Sequence, residues 1–358
     1  MREQGGLLMS RLIGGKSILG VLAVFTALFI MLLCREASGR DIFQAVSEGD
    51  DKTVKALLTR KPSLVKARNA AGETPLHLAA VHRDTKVILM LLASGADIKA
   101  QDGKGNTPLH RAVPAHSDRG VATPEVLELL VKKGAPLNVK NRDGLTPLLL
   151  ALDKGEFLIA ASLVKAGTDV RGKDPLGNTA LHHAAAAQYA DIVELLVRKG
   201  AEVNCESADG DTPLRKASHR GPTETTAFLL SHGAMKDIFS SAGLGDTAAI
   251  EELLKKKPEL VRARDGSGDT PLHYGASASQ KGSVKLLLSR GADANAQNKA
   301  LWTPLHEAAL NGDRETAAML LEKGAKTDIR NKDGETPLSL AEMNAHDEVV
   351  KLMKGEKQ

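Results

Sequence analysis

Four residues recur along the chain at a nearly fixed spacing. Thr74-Pro75-Leu76-His77, Thr107-Pro108-Leu109-His110, Thr270-Pro271-Leu272-His273 and Thr303-Pro304-Leu305-His306 are full copies, and variants begin at Thr146, Thr179, Thr212 and Thr336. The starts lie 33 residues apart, except for 39 between Thr107 and Thr146 and 58 between Thr212 and Thr270. A unit of this length cannot bury a hydrophobic face alone, so the units must stack into a repeat array. The chemistry of the motif fits a helix start. Thr is an N-cap, and Pro takes the first helical position, where a missing N–H costs nothing.

Each motif helix is short and carries small apolar residues, as in Leu78-Ala79-Ala80. A polar turn leads to a second helix with apolar residues at i, i+3 and i+4, such as Ile88/Leu91/Leu92, Val193/Leu196/Val197 and Val284/Leu287/Leu288. A glycine, such as Gly95, Gly200 or Gly291, then ends the second helix in the left-handed conformation. Links such as Asn141-Arg142-Asp143-Gly144 read as tight turns. One Trp, two Tyr and six Phe leave the core to Leu, Val, Ile and Ala.

On these motifs the chain resembles the ankyrin-repeat family, over about residues 41–358. The resemblance implies a mainly α solenoid of about ten stacked helix pairs with short β-hairpin fingers. It also implies that the motif histidines bond between repeats, and that a concave face of fingers and first helices binds a protein partner.

Two departures from the period define the expected organisation. Asp41-Ile42-Phe43 opens a unit without the motif, and its second helix ends in Lys61-Pro62. The same pattern returns without gaps at Asp237-Ile238-Phe239 and Lys257-Pro258, which accounts for the 58-residue interval. Only Met235 and Lys236 separate Gly233-Ala234 from this second copy, leaving no room for a finger. We therefore expect a first block at 41–236, an N-cap unit plus five repeats. The second block, 237–358, is a fingerless cap-like unit plus three repeats, the last a C-terminal cap. One continuous solenoid is the expectation, with a hinged pair of domains as the alternative. The 39-residue interval adds residues around Ala115–Gly120, and Thr123-Pro124-Glu125 restarts the next helix.

Residues 1–39 read as a targeting segment. Arg2, Arg11 and Lys16 precede an uncharged run from Ser17 to Cys34, and Ala37-Ser38-Gly39 supplies a small-residue exit. A cleaved signal peptide, an uncleaved membrane anchor over 17–34 and lipidation at Cys34 are the three readings. The first two place the rest of the chain outside the cytoplasm, in the periplasm, secreted, or tethered to an inner membrane. The short signal suggests a bacterial source. Loss of the segment would leave Cys205 as the only thiol, without an intrachain disulfide partner.

Catalytic and metal motifs are not evident. The motif histidines belong to the stack, His182 and His183 are adjacent and face different ways, and His219 and His232 lie on separate helices. Asp265-Gly266-Ser267-Gly268-Asp269 lacks the Lys of a P-loop and the ligand run of an EF-hand. No catalytic residue, cofactor or metal is expected. With 48 basic and 44 acidic residues interspersed for a formal charge of +4, no nucleic-acid surface is expected either.

The resemblance places the variable, partner-facing positions at finger tips and after each motif. They are Lys104, Leu145, Leu176, Leu301 and Trp302 on fingers, and Arg111, His219, Arg220, Tyr274 and Asn311 on first helices. Trp302, the only Trp, follows a Leu where several sister fingers carry Gly, so an exposed apolar tip is expected there. The functional expectation is a monomeric, non-catalytic scaffold for a protein partner. The alternatives are a regulatory or chaperone-like subunit of an exported enzyme, or a secreted host-directed effector.

Overall fold

Each Thr-Pro motif opens a short helix, as its capping chemistry requires. The computed structural model describes residues 41–114 and 124–355. They fall into two compact units that divide at the third repeat. The first takes the described residues up to Ala112 with Lys132–Ala135, and the second takes 113–114, 124–131 and those from Pro136 onward. In the first unit, α1 (Ile42–Ser47), α2 (Asp51–Arg60), α3 (Pro75–Val81), α4 (Thr85–Ala93) and α5 (Pro108–Arg111) alternate as inner and outer helices. In the second, α6 (Glu125–Lys132) precedes α7 (Pro147–Asp153), α8 (Phe157–Lys165), α9 (Ala180–Ala186), α10 (Ala190–Arg198), α11 (Pro213–Ser218) and α12 (Glu224–Ser231). It continues through α13 (Ile238–Leu244), α14 (Thr247–Lys256), α15 (Pro271–Ser277), α16 (Lys281–Ser289), α17 (Pro304–Asn311), α18 (Arg314–Glu322), α19 (Pro337–Met343) and α20 (Asp347–Lys354). The predicted targeting segment and the extra residues of the third unit lie outside the described residues. Among those described, no helix is long and apolar enough to cross a membrane.

The fold is an α-solenoid in two layers. In the second unit each inner helix from α7 to α19 packs on the next inner helix, and most outer helices do the same. The apolar stripes supply the core: Ile88 and Leu91 in α4, Val193 and Leu196 in α10, and Val284 and Leu287 in α16 are fully buried. Outer helices end at glycines such as Gly95 (φ 88) and Gly291 (φ 85), in the left-handed region that side chains avoid.

The expected β-hairpin fingers are instead tight turns. Asn69 Oδ1 accepts the Ala71 and Glu73 N–H groups, and Asp265 Oδ1 accepts those of Ser267 and Asp269, at 2.8–3.0 Å. These side chains take up amides that a strand ladder would use. One antiparallel bridge, Lys173 to Thr179, is the remnant of a hairpin among the described residues. Neighbouring fingers are tied by single backbone bonds, such as Gly103 N–H to Ala71 O at 2.8 Å and Lys299 N–H to Ser267 O at 2.9 Å.

The motif histidine joins one repeat to the next. In His77, His182, His273 and His306, Nδ1 accepts the backbone N–H of the capping Thr at 3.0–3.1 Å. Nδ1 is therefore unprotonated, and the Nε2–H donates to a carbonyl 29 residues further on. The acceptors are Asn106 O (2.9 Å), Asp211 O (2.9 Å), Trp302 O (3.1 Å) and Glu335 O (3.3 Å) respectively. Burial holds all four imidazoles below the ordinary histidine range, and takes His273 down to about 4.

At the unit opened by Thr212 there is no following finger, and Arg215 replaces the histidine. Its Nε donates to Asp237 Oδ2 at 2.7 Å and its Nη1 to Asp211 Oδ1 at 3.1 Å. Asp237 also caps α13 by accepting Ser240 N–H at 2.7 Å. Helix α11 packs on α13 and α13 on α15, so inner-layer packing crosses residues 236–237. The outer layer is thinner there, with little direct contact between α12 and α14. The two copies of the cap-like unit match locally: Lys61 (φ −140, ψ 84) and Lys257 (φ −142, ψ 84) each lead from a ten-residue helix into a 3-10 turn.

These contacts make stability depend on pH and on close packing at the junction. Because the folded histidines bind protons more weakly than unfolded ones, their stabilisation is complete above about pH 6.5 and is lost as pH falls through their lowered folded values, which for His273 is about 4. The His273 shift alone corresponds to about 3 kcal/mol, lost in full only where the folded ring is protonated as well. His306→Leu, which introduces the residue that Leu149 supplies at the equivalent position, should cost about 1–3 kcal/mol at pH 7, where Glu335 O loses its donor. It should also reduce the fall in urea midpoint between pH 7 and pH 4. Gly243→Ala in α13 would put a Cβ 2.3 Å from Ser218 O. That clash should lower stability by about 1–3 kcal/mol, read as an earlier urea midpoint.

Candidate protein-binding surface

The turn chemistry decides which side chains the fingers present. In each finger an Asn or Asp side chain, or Ser207 in the 207–211 finger, turns its oxygen inward to the amides, and the residues between it and the Thr reach the tip. Leu176 is presented outward, at 64% exposure. Leu301 is 40% exposed and has φ 62, the left-handed region. Sister fingers place Gly72, Gly105, Gly144, Gly177, Gly210, Gly268 and Gly334 at this position, with φ between 74 and 83. A Leu there bears a steric cost of about 1–2 kcal/mol that its sisters avoid.

Trp302 departs from the exposed position expected of it. Its ring is half-buried against the core and lies 5.6 Å from the His306 ring. Its backbone is also occupied, with N–H donated to Asn298 Oδ1 at 2.9 Å and the carbonyl accepting from His273. A bulky ring next to the motif gains more by covering the following helix than by standing in water. Leu145 is likewise half-buried.

The first-helix candidates divide. Arg220 is exposed, and Asn311 is exposed with its Nδ2–H donated to Ser277 O at 2.7 Å. Tyr274, a surface position by its place in the repeat, is only 1% exposed. The shorter unit that replaces a full repeat brings α11 and α13 over it. It stacks on His219 (centroids 3.8 Å apart), lies 5.5 Å from Phe239, and donates its hydroxyl to Asp265 Oδ2 at 2.8 Å. His219 is half-buried by the same stacking. In the first unit, Lys104 is exposed, while Arg111 pairs with Glu73 and lies 4.0 Å from Asp102.

Cys205 sits at a loop base as a small buried residue, 3.5 Å from Thr179 Oγ1 and 3.8 Å from His182 Nδ1. That nitrogen already accepts the Thr179 amide, and burial pushes the thiol up. The pair therefore lacks the thiolate a nucleophile needs. His183 hydrogen-bonds Asp174 instead, at 2.9 Å.

An acidic recess was not foreseen. Because no finger intervenes at 235–236, the 207–211 and 265–269 fingers touch, and a Cβ on Gly266 would fall 2.0 Å from Asp209 Cβ. Burial pushes Asp211 up, but Lys216 and Arg215 outweigh it and bring the carboxyl below its ordinary value. Asp269 has no such partner, so burial and then Asp265 push it upward. Glu307 is pushed up to about 7 by burial and by Asp269. The signal available in the sequence was the 58-residue interval, but not which fingers it would bring together.

Known proteins share this repeat. The family model for ankyrin repeats (3 copies) matches in five overlapping segments, 42–123, 119–207, 156–240, 199–298 and 276–358. A probable 26S proteasome regulatory subunit p28 of Saccharomyces cerevisiae is 30% identical over 224 residues, which is 61% of this chain and 97% of that protein. Human neurogenic locus notch homolog protein 1 is 33% identical over 185 residues, 51% of this chain and 6% of that protein. Human BCL-6 corepressor-like protein 1 is 29% identical over 133 residues, 37% of this chain and 7% of that protein. The chain thus spans only a small part of the length of the two human relatives. These relatives are eukaryotic and give no support to a bacterial source. A family model whose matches together cover 42–358, on helices capped and stitched by the Thr-Pro-Leu-His motif, establishes that the chain belongs to the ankyrin-repeat family.

Proposed function

We propose that this chain is a non-catalytic scaffold that holds a protein partner against the finger tips of the second unit, with Leu176 and Leu301 as apolar anchors. The observation that carries this reading is Leu301, an exposed Leu in a left-handed conformation that seven sister fingers assign to Gly. Local strain retained at an exposed position is a reason to look for a function there. Packing does not account for it, since the side chain projects from the stack. Arg220 and Asn311 are the polar candidates on first helices, and Trp302 supports the tip from beneath. The binding role of ankyrin repeats in general accords with this reading.

The similarity to nearly the whole of a probable proteasome regulatory subunit favours a narrower second reading, a regulatory subunit with one obligate partner. Co-purification at fixed stoichiometry distinguishes it from a scaffold with several partners. We also propose export, supported by the basic, apolar and small-residue succession over residues 2–39. The organisation we propose is two blocks, 41–236 and 237–358, each opening with the same cap-like unit.

Leu301→Gly should raise stability by about 1 kcal/mol, by relieving the left-handed strain, and should weaken partner capture. A photo-crosslinking residue at Leu176 should trap the partner, whereas one at Lys255 on the outer helix α14 should not. Undiminished capture by Leu301→Gly, or equal trapping at both positions, would remove the finger tips from the binding surface.

A further inference from the structure

The acidic recess holds a donor set that the stack does not use. His219 follows the last residue of α11, while Asp265 and Asp269 stand at the two ends of one finger turn. One ligand atom from each lies within 4.8 Å of the others. The histidine is held by stacking on Tyr274, and its ring nitrogens have no hydrogen-bond partner among the described residues. Asp269 is 8% exposed; its Oδ1 accepts Asn298 Nδ2–H at 2.8 Å, and its Oδ2 has no hydrogen-bond partner among the described residues.

Charge distinguishes this cluster from an ordinary acidic surface. The neighbouring cations are committed elsewhere: Arg215 pairs with Asp237 and Asp211, and Lys216 with Asp211. Asp265 and Asp269 make no ion pair among the described residues. Their side-chain partners, the Tyr274 hydroxyl and the Asn298 amide, are neutral. Two carboxylates are therefore gathered in a partly dry recess without a counter-charge, which is costly unless a cation is supplied.

We infer that His219, Asp265 and Asp269 form a binding site for one divalent transition-metal ion, of which Zn²⁺ is the representative. An imidazole with two carboxylates suits such an ion better than Ca²⁺ or Mg²⁺, which take all-oxygen shells. Tetrahedral Zn²⁺ with ligands at about 2.0–2.2 Å separates them by about 3.4 Å. The three donors, within 4.8 Å of one another, therefore need to close by at most about 1.4 Å, and the remaining position stays open to water or a partner's side chain. Tyr274 holds Asp265 and stacks on His219, so it positions two of the three ligands. The metal would bridge α11 to the 265–269 finger across the fingerless junction, where the outer layer is thin. This inference does not depend on the finger-tip reading, because its residues are distinct from Leu176 and Leu301.

The test is isothermal titration of ZnCl₂ into chelator-treated full-length protein, with thermal unfolding in parallel. Saturable binding of one Zn²⁺ per chain and a raised Tm are expected, with no such rise from Mg²⁺. His219→Ala and Asp269→Asn should each weaken binding at least tenfold while keeping the helical circular dichroism. Asp269→Asn should itself raise the metal-free Tm, since it removes an uncompensated buried charge. Cys205→Ala and His232→Ala should bind as the parent does. Absence of saturable binding, binding that survives both ligand substitutions, or loss of binding in Cys205→Ala would overturn the assignment.

Discussion

The stack depends on a neutral imidazole. The motif Thr caps a helix, the motif His returns a hydrogen bond to the Thr amide through Nδ1, and that bond leaves Nε2–H to reach a carbonyl of the next repeat. One side chain thus sets a helix start and the register of the following unit. Each such bond contributes only about 1 kcal/mol net. Repetition makes the sum large, and burial of Leu and Ala around the ring keeps water from competing. The place where the bond cannot be made shows the same constraint. With no finger after the 212 unit, an arginine reaches the cap of α13 directly and replaces a neutral hydrogen bond with a half-buried ion pair.

That substitution governs the chemistry of the junction. Omitting a finger brings together two turns that are 58 residues apart in the sequence. The acidic residues of these two turns then meet in one recess. Asp211 is neutralised by Arg215 and Lys216, whereas Asp265 and Asp269 are not. The irregular unit is therefore electrostatically unlike its neighbours although its helices are conventional. The same geometry buries Tyr274, which in a regular repeat would lie on the binding face.

Much of the fold was legible because it is written in local chemistry. Thr-Pro marks a helix start wherever it occurs, the i, i+3, i+4 stripes give the buried faces, and Gly95 or Gly291 marks a stop. The repeated Lys-Pro endings at 61 and 257 announced two matching units, and the backbone angles there agree closely. The fingers are tighter than the hairpins expected, because a short segment rich in Asn, Asp and Gly suits both a hairpin and an Asx turn. Side-chain oxygens that capture the amides decide between them. The candidate surface was legible only in part. Leu176 and Leu301 stand out as expected, but the exposure of Trp302 and Tyr274 depends on what the next repeat lays over them. His219 meeting Asp265 and Asp269 is a tertiary event that no spacing along the chain encodes.

The most direct measurement of the central claim is the protonation state of the motif histidines, read by long-range nitrogen–proton NMR correlation on labelled protein. The account predicts that His77, His182, His273 and His306 are neutral at about pH 7, carry their proton on Nε2, and show Nε2–H protons that exchange slowly with water. Charged rings at that pH, or protons on Nδ1, would contradict the stitching of one repeat to the next through these side chains.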